Sequence, residues 1–179
     1  MRQRWLLLGA ATLLALTAFF AGLFLSRPAQ PPLPASPPPS RAAVERLFAA
    51  SLFDAAGKET TLARWRGKPL IVNFWATWCP PCLEEMPLFS RLQERHPEVQ
   101  FVGIAIDTPE NVEAFAASHR FSYPLARGSE GVMSLMTDLG NGRGGLPFTV
   151  AMDAAGQVRH IRLGALSESE AERLIASLK

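Results

Sequence analysis

Two cysteines, Cys79 and Cys82, stand in a single Cys-Pro-Pro-Cys motif. Two cysteines on one helical turn can close a disulfide or open to a dithiol, which is the chemistry of thiol–disulfide exchange. Pro80 and Pro81 suit the first turn of a helix, where a missing N–H costs nothing. Unpaired N–H groups and the helix dipole at that end favour a thiolate. The motif predicts an exposed nucleophile at Cys79 and a deeper resolving cysteine at Cys82.

Structural roles explain the cysteine pair less well. A disulfide that closes so short a loop removes little chain entropy. Zinc requires four ligands, and His96, His119 and His160 are scattered without ligand spacing. The residue after the motif is Leu83 rather than histidine, so the pattern for haem attachment is absent. We therefore expect the disulfide itself to be the redox group, with no metal and no bound cofactor.

The element that must position the motif is the apolar run Leu70–Trp75. It is rich in β-branched and aromatic residues, which is typical of a strand buried on both faces. A short Ala-Thr-Trp link joins this strand to Cys79. We expect Trp78 in the link to shield the dithiol from solvent and Trp75 to serve in packing.

The rest of the folded region alternates strands and helices. Val44–Phe53 and Lys58–Leu62 flank an Asp-Ala-Ala-Gly turn and are predicted to form a β-hairpin. The further predicted elements are a helix from Cys79 to about Arg95, a strand Val99–Ile106, a helix from Pro109 to about His119, an extended piece Phe121–Pro124, a helix Val132–Leu139, strands Phe148–Met152 and Val158–Leu163, and a last helix opened by a capping box at Ser167. This order predicts an α/β fold with a mixed central sheet and helices on both faces.

The N-terminal region predicts export from the cytoplasm. Trp5–Leu25 is a run of 21 residues without a charge, and as a helix it would be ~30 Å long, the thickness of a bilayer's hydrocarbon core. Arg2 and Arg4 precede it, which predicts a cytoplasmic N-terminus. Residues 1–26 are therefore interpreted as a single-pass anchor. The alternative is a cleaved signal peptide, whose apolar region is normally shorter.

A proline-rich segment separates this anchor from the folded domain. Residues 27–40 contain seven prolines, which favour an extended conformation of ~3 Å per residue and so a semi-rigid spacer. The predicted domain covers residues 41–179. The formal charge of the whole chain is +2 and its basic residues are scattered, so the sequence does not indicate binding to nucleic acid.

The run Phe74–Cys82, read as Phe-Trp-Ala-Thr-Trp-Cys-Pro-Pro-Cys, resembles the thioredoxin superfamily and its redoxin-like members. More narrowly, the region from about residue 45 to 179 is similar to the TlpA/ResA/CcmG group of membrane-anchored thiol–disulfide oxidoreductases. The resemblance implies a thioredoxin-like fold, in which Cys79 and Cys82 form a redox-active disulfide. Gly145–Thr149 matches the cis-proline loop of that family. This match implies that Pro147 is cis and that Leu146 presents its backbone to a substrate.

The resemblance also implies which other residues belong to the site. Trp78, Pro80 and Pro81 would form the substrate-binding surface together with the cis-proline loop. Asn73 stands where thioredoxin has a buried aspartate that assists proton transfer, and an asparagine cannot take a proton. Glu85 matches an active-site glutamate of ResA-like proteins, so we hypothesise that it handles the proton of Cys82. The alternative is an ordinary acidic residue near a helix start.

The implied setting is the periplasmic side of the inner membrane. The expected substrates are exported disulfide-containing proteins, with apocytochrome c as one candidate, and the expected reductant is a membrane electron donor of the DsbD/CcdA type. A peroxiredoxin-like peroxidase is an alternative, but its signature would require proline at Val72 and serine or threonine at Ala76. A copper-binding module of the same fold is another, but its cysteines are separated by three residues rather than two.

Overall fold

The computed structural model describes residues 38–54 and 56–179. The predicted anchor in residues 1–26 and most of the predicted spacer in residues 27–40 lie outside these described residues. Across the part of the chain that is described, no helix is both long enough and apolar enough to span a bilayer.

The strands of the described chain form one sheet, and the helices pack against it. The strands are β1 (Leu52–Asp54), β2 (Glu59–Thr60), β3 (Leu70–Trp75), β4 (Gln100–Ala105), β5 (Leu125–Gly128), β6 (Phe148–Met152) and β7 (Val158–Leu163). The helices are α1 (Arg41–Ala49), α2 (Pro80–Arg95), α3 (Pro109–Ser118), α4 (Val132–Asp138) and α5 (Glu168–Ala176). The sheet order is β2-β1-β5-β4-β3-β6-β7, and its pairings are parallel at β3/β4 and β4/β5 and antiparallel elsewhere. The predicted mixed sheet is confirmed.

Strand β3 lies between β4 and β6 and is buried along its whole length. Its side chains alternate between the two faces of the sheet, as the pleat requires. Val72 and Phe74 pack in the cluster that includes helices α1 and α4, whereas Ile71 and Trp75 pack in the clusters that include α2, α3 and α5. Asn73 lies two residues from both Ile71 and Trp75, so its side chain points to the same face of the sheet as theirs. The only polar side chain of β3 therefore points toward α2.

Several predicted elements are confirmed with their bounds. Strands β3, β6 and β7 begin and end at the predicted residues. The capping box of α5 is also present, since Ser167 and Glu170 exchange side-chain to backbone hydrogen bonds. These elements share strong local patterns, namely continuous apolar runs, an Asp-Ala-Ala-Gly turn and a Ser-x-x-Glu helix start.

The predicted strand over Val44–Phe53 is wrong for most of its length. Arg41–Ala49 is instead the helix α1, capped by Ser40, whose hydroxyl accepts a hydrogen bond from the N–H of Ala43 at 3.1 Å. Val44 and Phe48 lie one turn apart and face the core. The hairpin is confirmed in a shorter form, as β1 paired with β2.

The strand β5 is absent from the sequence-based prediction, which placed an extended piece before it at residues 121–124. Its sequence, Leu-Ala-Arg-Gly, has little intrinsic preference for a strand. It becomes one because it pairs with β4 on one side and with β1 on the other, and so joins the hairpin to the sheet.

Candidate active site

The disulfide lies where β3 ends and α2 begins. Cys79 is the N-cap residue of α2 and is bonded to Cys82, with the two Cα atoms 5.3 Å apart. Cys79 is only 4% exposed and Cys82 is fully buried. The predicted order of exposure is confirmed, but the prediction of an exposed Cys79 is wrong in extent. Trp75 and Met86 belong to the same buried cluster as the two cysteines.

The two prolines occupy the first turn of α2, as predicted, and are exposed. Because proline has no N–H, the first backbone donors of the helix belong to Cys82 and Leu83, and both donate to the carbonyl of Cys79. Stabilisation of a Cys79 thiolate by the helix therefore depends on the dipole more than on hydrogen bonds from the first turn.

The tryptophan before the motif is largely exposed. Trp78 keeps 65% of its surface accessible, so it is not part of the buried cluster around the cysteines. Its shielding of the dithiol stays a prediction. Trp75, by contrast, packs against Phe115 with ring centroids 4.9 Å apart, which confirms its predicted packing role.

A second loop approaches the disulfide from β6. The peptide bond between Leu146 and Pro147 is cis, as the resemblance implied. Leu146 packs against the cluster that contains both cysteines, and Pro147 is buried. Asn141 supports this loop, because its amide donates to the carbonyl of Gly145 at 2.8 Å and its Oδ1 accepts from the N–H of Gly145 at 3.1 Å. Asn141 was missed by sequence reasoning, and the only signal in the sequence is an asparagine among the glycines of residues 140–145.

Behind the disulfide lies a buried polar cluster. Asn73 is 2% exposed and Glu85 is 3% exposed. The amide of Asn73 donates to Glu85 Oε1 at 2.8 Å and to the hydroxyl of Thr149 at 3.1 Å. Glu85 Oε2 accepts from the N–H of Leu166 at 3.0 Å. The cluster therefore joins β3, α2, β6 and the segment before α5.

Burial determines the protonation of this glutamate. Loss of hydration raises the pKa of Glu85 to about 7, although the hydrogen bonds from Leu166 and Asn73 act in the opposite direction. Burial, followed by the nearby charge of Glu85, also raises the pKa of the Tyr123 hydroxyl. Glu85 therefore titrates near neutral pH, where the exchange of protons with a thiol is useful.

The three histidines occupy separate places on the fold. His96 pairs with Glu172 at 3.0 Å, and His119 stacks on Phe115 with centroids 4.1 Å apart. His160 is exposed on β7. Within residues 38–54 and 56–179, no three His, Cys, Asp or Glu side chains are grouped so that they could hold a metal ion.

Asp107 fixes the link between β3 and α2 from a neighbouring loop. It accepts hydrogen bonds from the N–H of Thr77 at 3.0 Å and from the Thr77 hydroxyl at 2.5 Å. The N–H of Thr108 and the amide of Asn111 also donate to it, at 2.8 and 2.7 Å. Partial burial opposes ionisation of Asp107, but these hydrogen bonds hold its pKa below the ordinary value. Local sequence alone does not distinguish this residue from a helix cap, because the contact joins loops 30 residues apart.

We expect Asp107→Ala to lower the free energy of unfolding by about 1–2 kcal/mol, since the hydrogen bonds to a partly exposed carboxylate are lost. The reduced variant should also be alkylated faster at Cys79, because the preceding link is less restrained. Denaturant unfolding and thiol alkylation measure the two effects. Glu84→Ala, at an exposed position on α2, is the control, and equal alkylation rates in both variants would contradict a positioning role for Asp107.

Several known proteins are similar in sequence to this chain. The family model described as Redoxin matches residues 40–175. The thiol-disulfide oxidoreductase ResA of Geobacillus thermodenitrificans (strain NG80-2) is 32% identical over 133 residues, covering 72% of this chain and 73% of that protein. The thioredoxin-like protein YneN of Bacillus subtilis (strain 168) is 29% identical over 129 residues, covering 69% and 72%.

Solved structures show the same fold. A thioredoxin-related protein from Neisseria meningitidis serogroup B is 32% identical and superposes with a TM-score of 0.63, covering 71% of this chain and 97% of that chain. A thiol:disulfide interchange protein from Chlorobium tepidum TLS is 28% identical with a TM-score of 0.61, covering 82% and 99%.

Proposed function

Because this chain belongs to the redoxin family and is a thiol–disulfide oxidoreductase of the thioredoxin and ResA type, we propose that it reduces disulfides in exported proteins. The observation that carries this proposal is the Cys79–Cys82 disulfide at the start of a helix, with Cys79 the more accessible of the two.

The proposed reaction transfers two electrons to the substrate in two displacements. The thiolate of Cys79 attacks a substrate disulfide, a mixed disulfide forms, and the second substrate sulfur leaves as a thiolate. Cys82 then loses its proton and attacks the Cys79 sulfur. The remaining substrate sulfur leaves as a thiolate, and the Cys79–Cys82 disulfide forms. The protein must afterwards be reduced by another dithiol.

Glu85 is the proposed holder of the Cys82 proton. It lies one helical turn beyond Cys82 and titrates near neutral pH. In the disulfide form its two oxygens accept hydrogen bonds from Asn73 and Leu166 rather than from a sulfur. We therefore assign Glu85 to the buried polar cluster behind Cys82, as a proton reservoir, and not to direct contact with substrate.

The proposed substrate surface surrounds Cys79. Trp78, Pro80 and Pro81 are exposed at the start of α2. Leu146 and Pro147 approach the cysteines from the β6 side. An extended substrate segment between these two sides would present its disulfide to Cys79.

The proposed location is the periplasmic face of the inner membrane, with residues 1–26 as the anchor and residues 27–40 as a spacer. The charge-free apolar run supports the anchor, and the proline content supports the spacer. In an oxidising compartment a dithiol must be reduced again after each turnover, for which we propose a membrane dithiol donor of the DsbD/CcdA type. Apocytochrome c is a candidate substrate.

The test is to express Cys82→Ser in the native host and identify the proteins that are trapped on Cys79. We expect mixed disulfides with exported proteins, because the resolving sulfur is missing. Cys79→Ser is the control and should trap none of them. Trapped cytochrome apoproteins would support a role in their maturation, whereas a Cys82→Ser sample without any disulfide-linked partner would count against the proposal.

A further inference from the structure

A cleft of about 520 Å³ lies beside the disulfide, between helix α2 and the end of α3. Its floor is apolar and includes Leu83, Pro87, Phe115 and Phe121. Leu83 directly follows Cys82 in the chain. Together with Phe115 and Phe121 it packs against the buried cluster that contains both cysteines. The cleft therefore begins at Leu83, one helical turn from Cys79.

The direction of the cleft follows from the helical repeat. Leu83, Pro87 and Arg91 recur at every fourth residue, so they form one row along α2 that starts just after Cys82. The rise from Leu83 to Arg91 is about 12 Å. An extended peptide advances about 3.3 Å per residue, so about four residues fit this length. A chain joined to Cys79 in a mixed disulfide would meet this cleft next.

The cleft combines aromatic rings with positive charge. His119 stacks on Phe115 with centroids 4.1 Å apart, and Phe121 lies 6.1 Å from Phe115 in a nearly parallel plane. Arg91 and Arg120 also line the cleft, and each donates to a backbone carbonyl one turn back. Neither arginine forms an ion pair with a residue of the described chain. The lining contains no carboxylate.

We propose that this cleft binds the segment of about four residues beside the substrate cysteine that Cys79 attacks, and that it selects segments with apolar or aromatic side chains together with Asp or Glu. This inference rests on the proposed function and adds a substrate preference to it. The apolar floor would bury the hydrophobic side chains, and the two unpaired arginines would meet the carboxylates. The chain's own first 40 residues contain arginines but no Asp or Glu, so their charge does not suit this cleft.

The test compares the rates at which the reduced protein reduces three disulfides. Two are peptides that differ only in two of the four residues beside the cysteine: one has Leu, Phe and two Glu, and the other has Leu, Phe and two Lys. The third is 2-hydroxyethyl disulfide, which has no flanking chain and normalises the rates of each variant. We expect the acidic peptide to react about tenfold faster than the basic one, because two charge pairs of modest strength change sign.

Two variants distinguish binding of the peptide in the cleft from a general effect of the protein's charge. Arg91→Glu/Arg120→Glu should remove or reverse the preference for the acidic peptide. Arg64→Glu is the matched control, because Arg64 is exposed and precedes β3, at the opposite end of this strand from the disulfide. Salt should also reduce the wild-type preference, since the screening length falls from about 10 Å at 0.1 M to about 3 Å at 1 M.

Each other outcome has a definite meaning. Equal wild-type rates for the two peptides, or an unchanged preference in Arg91→Glu/Arg120→Glu, would overturn the docking proposal and leave the exchange reaction standing. A change of oligomeric state in that double variant without peptide would also overturn it, because the cleft would then be a contact between copies. Failure of the wild-type protein to reduce any of the three disulfides would overturn the proposed function itself.

Discussion

We expect the free energy of unfolding of the wild-type protein to fall between about pH 4.5 and pH 7, and we expect Glu85→Gln to abolish this fall. The pKa of Glu85 is raised from 4.5 to about 7 by burial. The native state therefore holds this proton more tightly than the unfolded state. Its stabilising effect is complete below the unfolded pKa and is lost as the pH rises through the folded pKa. This difference between the folded and unfolded pKa values corresponds to about 3 kcal/mol of free energy of unfolding.

The measurement is denaturant unfolding of the oxidised protein from pH 4 to pH 8, and the quantity of interest is the difference between wild type and Glu85→Gln. Carboxylates with lowered pKa values, such as Asp107, gain stability over the acidic range in both proteins and so cancel in this difference. Glu84→Gln, next to Glu85 but exposed, is the control. Wild-type and Glu85→Gln curves that run parallel over the whole range would contradict the assignment.

The same substitution tests the role of Glu85 in proton transfer. In a Cys79→Ser background only Cys82 remains as a thiol, and its alkylation rate reports its ionisation. Glu85→Gln should shift the pH dependence of this rate, because the charge that develops one turn away on α2 is removed. An unchanged profile would leave Glu85 as a structural group only.

The parts of the fold that could be predicted are those whose signal is local. The apolar run of β3 and the Pro-Pro start of α2 are readable within a few residues, and both agree with the structure. The same holds for the turn between β6 and β7. The position of the disulfide at the end of a central strand follows from these elements alone.

The parts that could not be predicted depend on residues far apart in the sequence. Strand β5 exists because β4 and β1 pair with it, and no property of its own four residues requires this. Cys79 is more buried than expected, and its buried cluster includes side chains from β4 and α3, which are distant in sequence. Asp107 acts on the link before Cys79 through a contact between loops 30 residues apart.

Asn73 stands where the resemblance to thioredoxin would place an aspartate. The structure supplies a reason for the asparagine, because Glu85 on α2 already places a carboxyl group here and the amide of Asn73 supplies a donor to it. The amide of Asn73 lies 2.8 Å from Glu85 Oε1. Asn73→Asp would replace this donor with a second buried carboxyl group, and the two could not both ionise without strong repulsion.

We expect Asn73→Asp to lower the free energy of unfolding by about 3–5 kcal/mol at pH 8, because a buried charge is left without compensation. At pH 5 the loss should be much smaller, since the two carboxyl groups can share a proton. Asn111→Asp is the matched control, because the amide of Asn111 also donates to a carboxylate, Asp107 at 2.7 Å, but at an exposed site.

The control separates burial from proximity. Repulsion between exposed charges is weakened by water, so Asn111→Asp should lower stability by no more than about 1 kcal/mol. If burial behind the disulfide raises the pKa of Glu85, the effect of Asn73→Asp must grow steeply between pH 5 and pH 8 while the effect of Asn111→Asp does not. Equal and shallow pH dependence in the two variants would mean that water reaches Glu85, and the proposed proton reservoir behind Cys82 would lose its physical basis.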